Sequence, residues 1–399
     1  MAAEIVKQKS RGFICVNAHP EGCRCNVARQ VEVVRQSRPE GIMGPRNVVV
    51  IGGSTGYGLA SRIAAAWCFG AKTLGIFLER APERGRTGSA GYYNTVAFHE
   101  LAKAEGLFAA SLNVDAFSND AKRQAAEIVR REMGKIDLVI YSVASPKRIN
   151  PRNGITYSSV LKPIGAPFNS RTIDLDSEAV TDVTIAPASG QEVADTVAVM
   201  GGEDWSLWIE AFLTESLLAE GARTLAYSYI GPELTWPVYR DGTIGAAKKD
   251  LETTARNLSG LLREKVGGDA YVAVNKAIVT QASAAIPVVP LYMSILRRAM
   301  SETGVEEGAI EQMTRLFVNH LATRLAPATD NAGRIRMDDR EMRPYVQEEV
   351  EGIWPNVTTE NLSILTDFAG FKREFRNLFG FEVAGVDYSQ PVEIDLKLG

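Results

Sequence analysis

Cysteine is scarce in this chain: four residues in 399, at Cys15, Cys23, Cys25 and Cys68. So few thiols exclude a disulfide framework. Three of them lie near His19, but the paired C-x2-C spacing of a zinc site is missing. They read as reduced thiols, and no metal is expected. Long apolar runs are missing too. The most apolar stretch, residues 278–296, is interrupted by Gln281, Pro287 and Pro290, so it reads as buried core and not as a membrane span. The first residues hold no apolar signal region, which predicts a cytoplasmic protein. An excess of one charge is also lacking. With 44 basic and 48 acidic side chains the formal charge is −4, and no like-charge block supplies the basic patch of a nucleic-acid binder. Repeats, low-complexity tracts and linkers are absent. At 45% hydrophobic and 23% charged residues the chain is too apolar to be disordered.

What is present is an alternation of strand and helix signals. The run Val48, Val49, Val50, Ile51 is the β-branched pattern of a strand buried on both faces. A glycine-rich turn and an Ala-rich helical stretch at 59–69 follow. Residues 73–78 read as a second strand, 108–114 as a third and 136–141 as a fourth, with helices near 95–105 and 119–133. Such alternation implies a parallel sheet with right-handed crossovers. Residues 151–189 break the rhythm and read as an inserted hairpin or lid. The pattern resumes with a strand at 224–230, a helix at 246–265 and a strand at 270–274. The tail is mixed, with a helix expected at 310–325. The simplest organisation is one elaborated α/β domain of the Rossmann type, a doubly wound parallel sheet. It comprises an N-terminal extension (1–45), a first dinucleotide-binding half (46–150), an inserted substrate-portal region (151–222), a second half (223–300) and a C-terminal elaboration of extra helices (301–399).

The sharpest local signal is Gly52-Gly53-Ser54-Thr55-Gly56-Tyr57-Gly58, directly between a predicted strand and a predicted helix. Glycines there let the backbone approach a pyrophosphate at the helix N-terminus. An ordinary strand–helix turn can also be glycine-rich. What favours a cofactor is an acid at the right distance: Leu78 and Glu79 close the second strand, Glu79 being 21 residues after Gly58. A carboxylate there accepts hydrogen bonds from the ribose of NAD and repels the 2′-phosphate of NADP. Arg80, Arg84 and Arg86 nearby argue the other way, and NADH is favoured. Asp115 and Ala116 after the third strand, and Val143 and Ala144 after the fourth, occupy strand ends that line the crevice in such folds; from position alone they are equally well plain loop.

Tyr239 and Lys248 are the catalytic candidates. A tyrosine can protonate an enolate when a cation is nearby. Nine residues of continuous helix turn through about 900° and would put the two on opposite faces, so Tyr239 must precede the helix. Asp241-Gly242 supplies the break and Thr243 a possible cap. Lys248 then falls in line with Leu251, Ala255, Leu258 and Leu262 and should point inward, whereas Lys249 aligns with Glu252 and Arg256 and should point to water.

Together these motifs resemble the FabV-type enoyl-acyl-carrier-protein reductases and the closely similar trans-2-enoyl-CoA reductases. The likeness runs nearly end to end, through Arg11-Gly12-Phe13-Ile14-Cys15, Ala18-His19-Pro20, the glycine turn, Val199-Met200-Gly201-Gly202-Glu203-Asp204-Trp205, Ala226-Tyr227-Ser228-Tyr229-Ile230-Gly231-Pro232, Gly242-Thr243-Ile244-Gly245 and Val279-Thr280-Gln281-Ala282-Ser283. The resemblance implies NADH-dependent reduction of the double bond of a trans-2-enoyl thioester, carried by acyl carrier protein or alternatively by coenzyme A. It implies Tyr239 as proton donor, Lys248 on the nicotinamide ribose, Tyr229 as a substrate-binding tyrosine, and Ala277, Ile278 and Val279 on the cofactor. A monomer or weak homo-oligomer is expected. Two rivals are weaker. A ketoacyl reductase would need Tyr-x3-Lys, which neither Tyr227, Tyr229 nor Tyr239 offers. A non-catalytic dinucleotide sensor would need no tyrosine–lysine pair.

Overall fold

The computed structural model describes residues 3–11, 14–38, 40–322 and 326–398. Gly12 and Phe13, within the first matching string, and Thr323, Arg324 and Leu325, at the end of the expected tail helix, lie outside the described residues.

Seven strands form one sheet: β1 (Asn47–Ile51), β2 (Lys72–Phe77), β3 (Ala109–Asn113), β4 (Ile136–Tyr141), β5 (Leu218–Ser228), β6 (Asp269–Val274) and β7 (Arg334–Arg336). Their order is β7-β6-β5-β4-β1-β2-β3, and every neighbouring pair is parallel. Side chains of a strand alternate between faces, and β1 shows the consequence. Val48 and Val50 pack with Leu138 and Ile140 beneath one helical layer, whereas Val49 and Ile51 pack with Val139 and Tyr141 beneath the other. Val48, Val49, Val50 and Ile51 are all fully buried, which is why the strand reads as a continuous apolar run and not as an alternation.

The helices are α1 (Pro20–Ser37), α2 (Gly56–Phe69), α3 (Ala90–Ala104), α4 (Asn119–Ile128), α5 (Gly190–Met200), α6 (Glu203–Thr214), α7 (Thr243–Val266), α8 (Gln281–Ala284), α9 (Val289–Glu302), α10 (Ala309–Leu316), α11 (Pro344–Ile353), α12 (Leu362–Leu365) and α13 (Phe368–Asn377). α1, α2 and α10 cover one face; α4, α6 and α7 cover the other. A third apolar cluster joins α9, α11 and α13 to Tyr92 and Tyr93 of α3 and to Ile173. Among the described residues no helix is long and apolar enough to cross a membrane.

The expected α/β pattern is present, with local differences. β2 stops at Phe77, so Leu78 lies beyond the strand. β5 begins at Leu218, six residues before the expected strand. The insertion does hold a hairpin, Phe168–Ile173 against Val180–Ile185. Yet α6, inside the stretch assigned to the portal, is a sheet-covering helix: Trp205, Trp208, Ile209 and Phe212 are completely buried against the strands. The charged start of α6 is tied inward as well, since buried Asp204 pairs with Lys122 of α4 at 2.8 Å and accepts from the Tyr141 hydroxyl. Of the stretch 278–296 the α9 part is core, with Leu291, Tyr292 and Ile295 fully buried, whereas Gln281, Ala282 and Ala285 before it are exposed. α10 passes into a wider turn at Phe317–Leu321.

Candidate active site

The order of the strands reverses beside β1, and in such sheets the crevice at the carboxyl ends of the strands is where ligands bind. Gly52 leaves β1 with φ +88°, and a Cβ on it would lie 2.3 Å from the Ser142 carbonyl oxygen. A Cβ on Gly58 would lie 1.9 Å from the Gly52 oxygen. Only glycine lets the turn close this tightly. Thr55 precedes α2, no side chain caps that end, and the first turn holds no acid. Its N–H groups are therefore free to meet an anion.

Glu79 sits above this turn. Its carboxylate accepts from the Ser54 hydroxyl at 2.7 Å and from the Ser89 hydroxyl, while its backbone exchanges two hydrogen bonds with the Asn113 side chain. A Cβ on Gly91, in the first turn of α3, would overlap the Glu79 carboxylate at 1.9 Å, so a larger residue there would displace that carboxylate. Arg80, the nearest competing cation, donates to the Val16 carbonyl at 3.1 Å, and Arg84 is exposed and paired with Glu83. Neither replaces the carboxylate as the group held over the turn.

Thr55, Gly56, Glu79, Ile278 and Val279 line one cavity of about 1040 Å³. Other expected ligands lie elsewhere on the same edge. Leu78 is 71% exposed beside Glu79, an apolar side chain facing outward at a strand end. Tyr57 turns its ring toward Tyr227 and donates to the Lys276 carbonyl at 2.7 Å, so it braces the segment after β6. Asp115 accepts from Phe117 N–H, and the Ala116 carbonyl faces inward to Lys122 and Trp208. Gly53 donates to the Ile76 carbonyl. Val143 and Ala144 follow Ser142, opposite Gly52.

Tyr239 lies in the turn before α7, its N–H donating to the Thr235 carbonyl. The helix begins at Thr243 after Gly242, so the required break is there. Thr243 is not the cap, however. Its hydroxyl donates to the Val160 carbonyl and accepts from Lys162 N–H, because the inserted segment crosses this helix end and takes up the group. The helical phase is as expected: Lys249 is exposed, while the half-buried Lys248 donates to the Tyr227 carbonyl at 2.9 Å. Burial brings the Lys248 ammonium down to about 8. Tyr239 meets Tyr229 edge to face, with ring centroids 4.9 Å apart. Burial raises both phenols above their ordinary value, and the Glu341 carboxylate adds to the effect. Both tyrosines therefore stay protonated at neutral pH.

Comparison with known proteins identifies the frame. A model described as the trans-2-enoyl-CoA reductase catalytic region matches residues 86–322. The chain belongs to the trans-2-enoyl-CoA reductase family. A model of the NAD(P)H binding domain of the same family matches residues 5–84. The chain is 52% identical over 391 residues to an enoyl-[acyl-carrier-protein] reductase [NADH] of Opitutus terrae, covering 98% of each. It is 51% identical to the trans-2-enoyl-CoA reductase of Euglena gracilis, over 99% of this chain and 73% of the relative. The crystal structure of Treponema denticola trans-2-enoyl-CoA reductase in complex with NAD superimposes with a TM-score of 0.95 at 45% identity, covering 99% of this chain and 100% of the other. The boundary between the two family models falls between β2 and α3, so both contribute strands to one sheet.

A third model, an enoyl reductase FAD binding domain, matches residues 329–392. These residues do not fit a flavin dinucleotide. Their strand–helix turn, 337–343, holds no glycine to let the backbone approach a pyrophosphate, and its acids Asp338, Asp339 and Glu341 outnumber Arg340 and Arg343. The following helices place Val346, Val350, Phe371 and Phe375 in the core.

In the cysteine–histidine cluster Cys23 is a buried free thiol and the other three side chains are engaged separately. His19 accepts from Gly22 N–H at the start of α1, Cys15 donates to the Asn17 carbonyl, and Cys25 donates to Glu21. Among the described residues no three metal-ligating side chains converge.

Sequence reading missed Glu341, Tyr292 and Lys276. Glu341 is fully buried, although it belongs to a run of acids and arginines that reads as a solvated loop. Its Oε1 accepts from the hydroxyls of Tyr229 at 3.0 Å and Tyr292 at 2.6 Å, and its Oε2 accepts from Ala277 N–H at 2.7 Å. No local signal announces this convergence.

Proposed function

We propose that the chain reduces the C2=C3 bond of trans-2-enoyl thioesters with NADH, with Tyr239 and Lys248 as its catalytic pair. The observation that supports the assignment of this pair is the inward Lys248 ammonium, anchored on the Tyr227 carbonyl near the end of β5, with Tyr239 held in the turn before the same helix. Bound NADH supplies a hydride to C3. Negative charge then develops on the thioester oxygen, where the Tyr239 hydroxyl donates a hydrogen bond and delivers a proton. Lys248 holds the nicotinamide ribose and places a positive charge behind the phenol. Glu79 takes the adenosine ribose, the turn at residues 52–58 takes the pyrophosphate, and Leu78, Asp115, Ala116, Val143, Ala144 and residues 277–279 flank the cofactor along the strand ends. Tyr229 and the apolar residues near α9 position the acyl chain.

The acyl-carrier-protein thioester is proposed as the physiological substrate, since relatives matching this chain over nearly their whole length carry that name; coenzyme A esters share every reacting atom. The enzyme is further proposed to be cytoplasmic, a monomer or weak homo-oligomer, and organised as one elaborated domain; its unpaired cysteines suit a reducing compartment.

Mixing the protein with NADH and crotonyl-CoA, and following loss of NADH absorbance, tests the reaction. Steady consumption that depends on crotonyl-CoA is expected. Tight NADH binding without turnover would instead favour a dinucleotide sensor. Comparing kcat/KM for crotonyl-CoA and the crotonyl carrier-protein ester decides the carrier.

A further inference from the structure

We infer that Glu341 is a positioning residue that fixes the division of labour between the two active-site tyrosines: it binds the Tyr229 hydroxyl as a donor and leaves Tyr239 as the phenol free to protonate the substrate. The inference rests on the reduction proposed above. Three donors from three separate elements converge on one fully buried carboxyl group: Tyr229 beyond β5, Tyr292 of α9 and Ala277 N–H beyond β6.

The direction of each hydrogen bond follows from chemistry. A backbone N–H can only donate. Tyr292 accepts from Gln347 Nε2 and so sends its own proton to Glu341. With these two positions supplied, the carboxylate is an acceptor for Tyr229 as well. A phenol has one proton, and that of Tyr229 is committed to its hydrogen bond to Glu341. Toward a thioester oxygen Tyr229 can then offer only lone pairs. Gly231 closes over the same hydroxyl: a Cβ on it would lie 2.6 Å from the Tyr229 oxygen. The Tyr239 hydroxyl has no hydrogen-bond partner among the described residues; its ring alone is engaged, against Tyr229. It therefore keeps its proton for the substrate. Ala277 belongs to the segment beside the cofactor, so the same carboxylate ties the substrate tyrosine to the loop that faces the nicotinamide.

Burial works against the charged form of Glu341, and the three donors together with the nearby Lys276 ammonium work for it. The titratable and polar groups facing it are Lys276, Tyr57, Tyr229, Tyr239, Tyr292 and Gln347. When Glu341 gains a proton as pH falls, its hydrogen bond to Tyr229 loses the negative charge that strengthens it, and Tyr229 is released to compete with Tyr239 for the thioester oxygen. An acid limb in kcat/KM for crotonyl-CoA follows.

The test compares wild type, Glu341→Gln, Tyr229→Phe and the double variant, with NADH and crotonyl-CoA across the acid-to-neutral range. Glu341→Gln should lose about tenfold in kcat, the scale of one hydrogen bond to a charged group, and should lose the acid limb. Tyr229→Phe should lose the limb too. The double variant should be no worse than the poorer single one, since Glu341 acts through Tyr229. An acid limb unchanged in either single variant, or losses that multiply, overturns the proposal. If Glu341→Gln does not fold, Tyr229→Phe alone decides by the limb, because it leaves Glu341 with two donors. A wild type that ignores crotonyl-CoA refutes the proposed reaction instead. An alkaline titration of tyrosine absorbance then decides the role of Glu341 without turnover. Earlier phenolate formation in Glu341→Gln supports it, and identical curves overturn it.

Discussion

Lys248 should make the enzyme lose activity and gain stability over the same rise in pH. Among the described residues its ammonium donates to a single backbone carbonyl, that of Tyr227, and no carboxylate pairs with it. Burial therefore acts unopposed, drawing it from an ordinary 10.5 to about 8. At pH 7 about ten molecules in eleven carry the charge, and at pH 9 only about one in eleven. Since kcat/KM for NADH reports the free enzyme, it should fall roughly tenfold per pH unit above about 8.

Stability moves the other way. The unfolded chain keeps the lysine proton up to 10.5 while the folded chain releases it near 8. Between those values the unfolded state binds more protons, so stability rises with pH, by at most about 3 kcal/mol. Lys248→Met removes both effects: kcat/KM becomes low and flat across this window, and the lysine's contribution to the rise in stability disappears. The assay pairs NADH-dependent rates with urea melts at each pH. An activity limb near 10 would mean the ammonium is solvated. A limb near 8 that survives in Lys248→Met would belong to another group. Either result refutes the reasoning.

Tyr239→Phe keeps the ring packed on Tyr229 and removes only the hydroxyl, so kcat should fall by roughly 10²-fold or more with NADH binding near normal in a fluorescence titration; Lys249→Met, on the exposed face, should leave both parameters unchanged. Glu79→Ala should lower kcat/KM for NADH by about ten- to hundredfold, the scale of hydrogen bonds to a charged acceptor, and narrow its advantage over NADPH in steady-state kinetics. Gly52→Ala forces a Cβ against the Ser142 carbonyl at positive φ and should destabilise the fold by about 2–4 kcal/mol in denaturant melts.

What could be read from the sequence was what periodicity and local stereochemistry encode. β1 announced itself because both faces of it are buried, and the turn at residues 52–58 because its backbone has room only for glycine at 52 and 58. The phase of α7 was legible because Lys248 shares a stripe with Leu251, Ala255, Leu258 and Leu262, all buried. α6 was legible in principle: Trp205, Trp208, Ile209 and Phe212 fall at i, i+3, i+4 and i+7. Extending the portal to residue 222 ran across that pattern. β7 escaped because three residues, two of them arginines, leave no apolar alternation to detect.

Glu341 escaped for a different reason. Its neighbours in sequence are Arg340 and Met342, but its partners Tyr292 and Tyr229 lie 49 and 112 positions away. Nothing in a window of ten or twenty residues distinguishes a charge that faces water from one that three donors have drawn into the core. Local patterns could nominate Tyr239 and Lys248, only the family resemblance added Tyr229, and helical phase could choose between adjacent lysines. Choosing between the tyrosines requires knowing which hydroxyl proton is already committed. On the proposed reading that depends on a carboxylate in the turn after the last strand of the sheet, so residues in the middle of the chain take up their proposed roles only when its C-terminal part is folded against them.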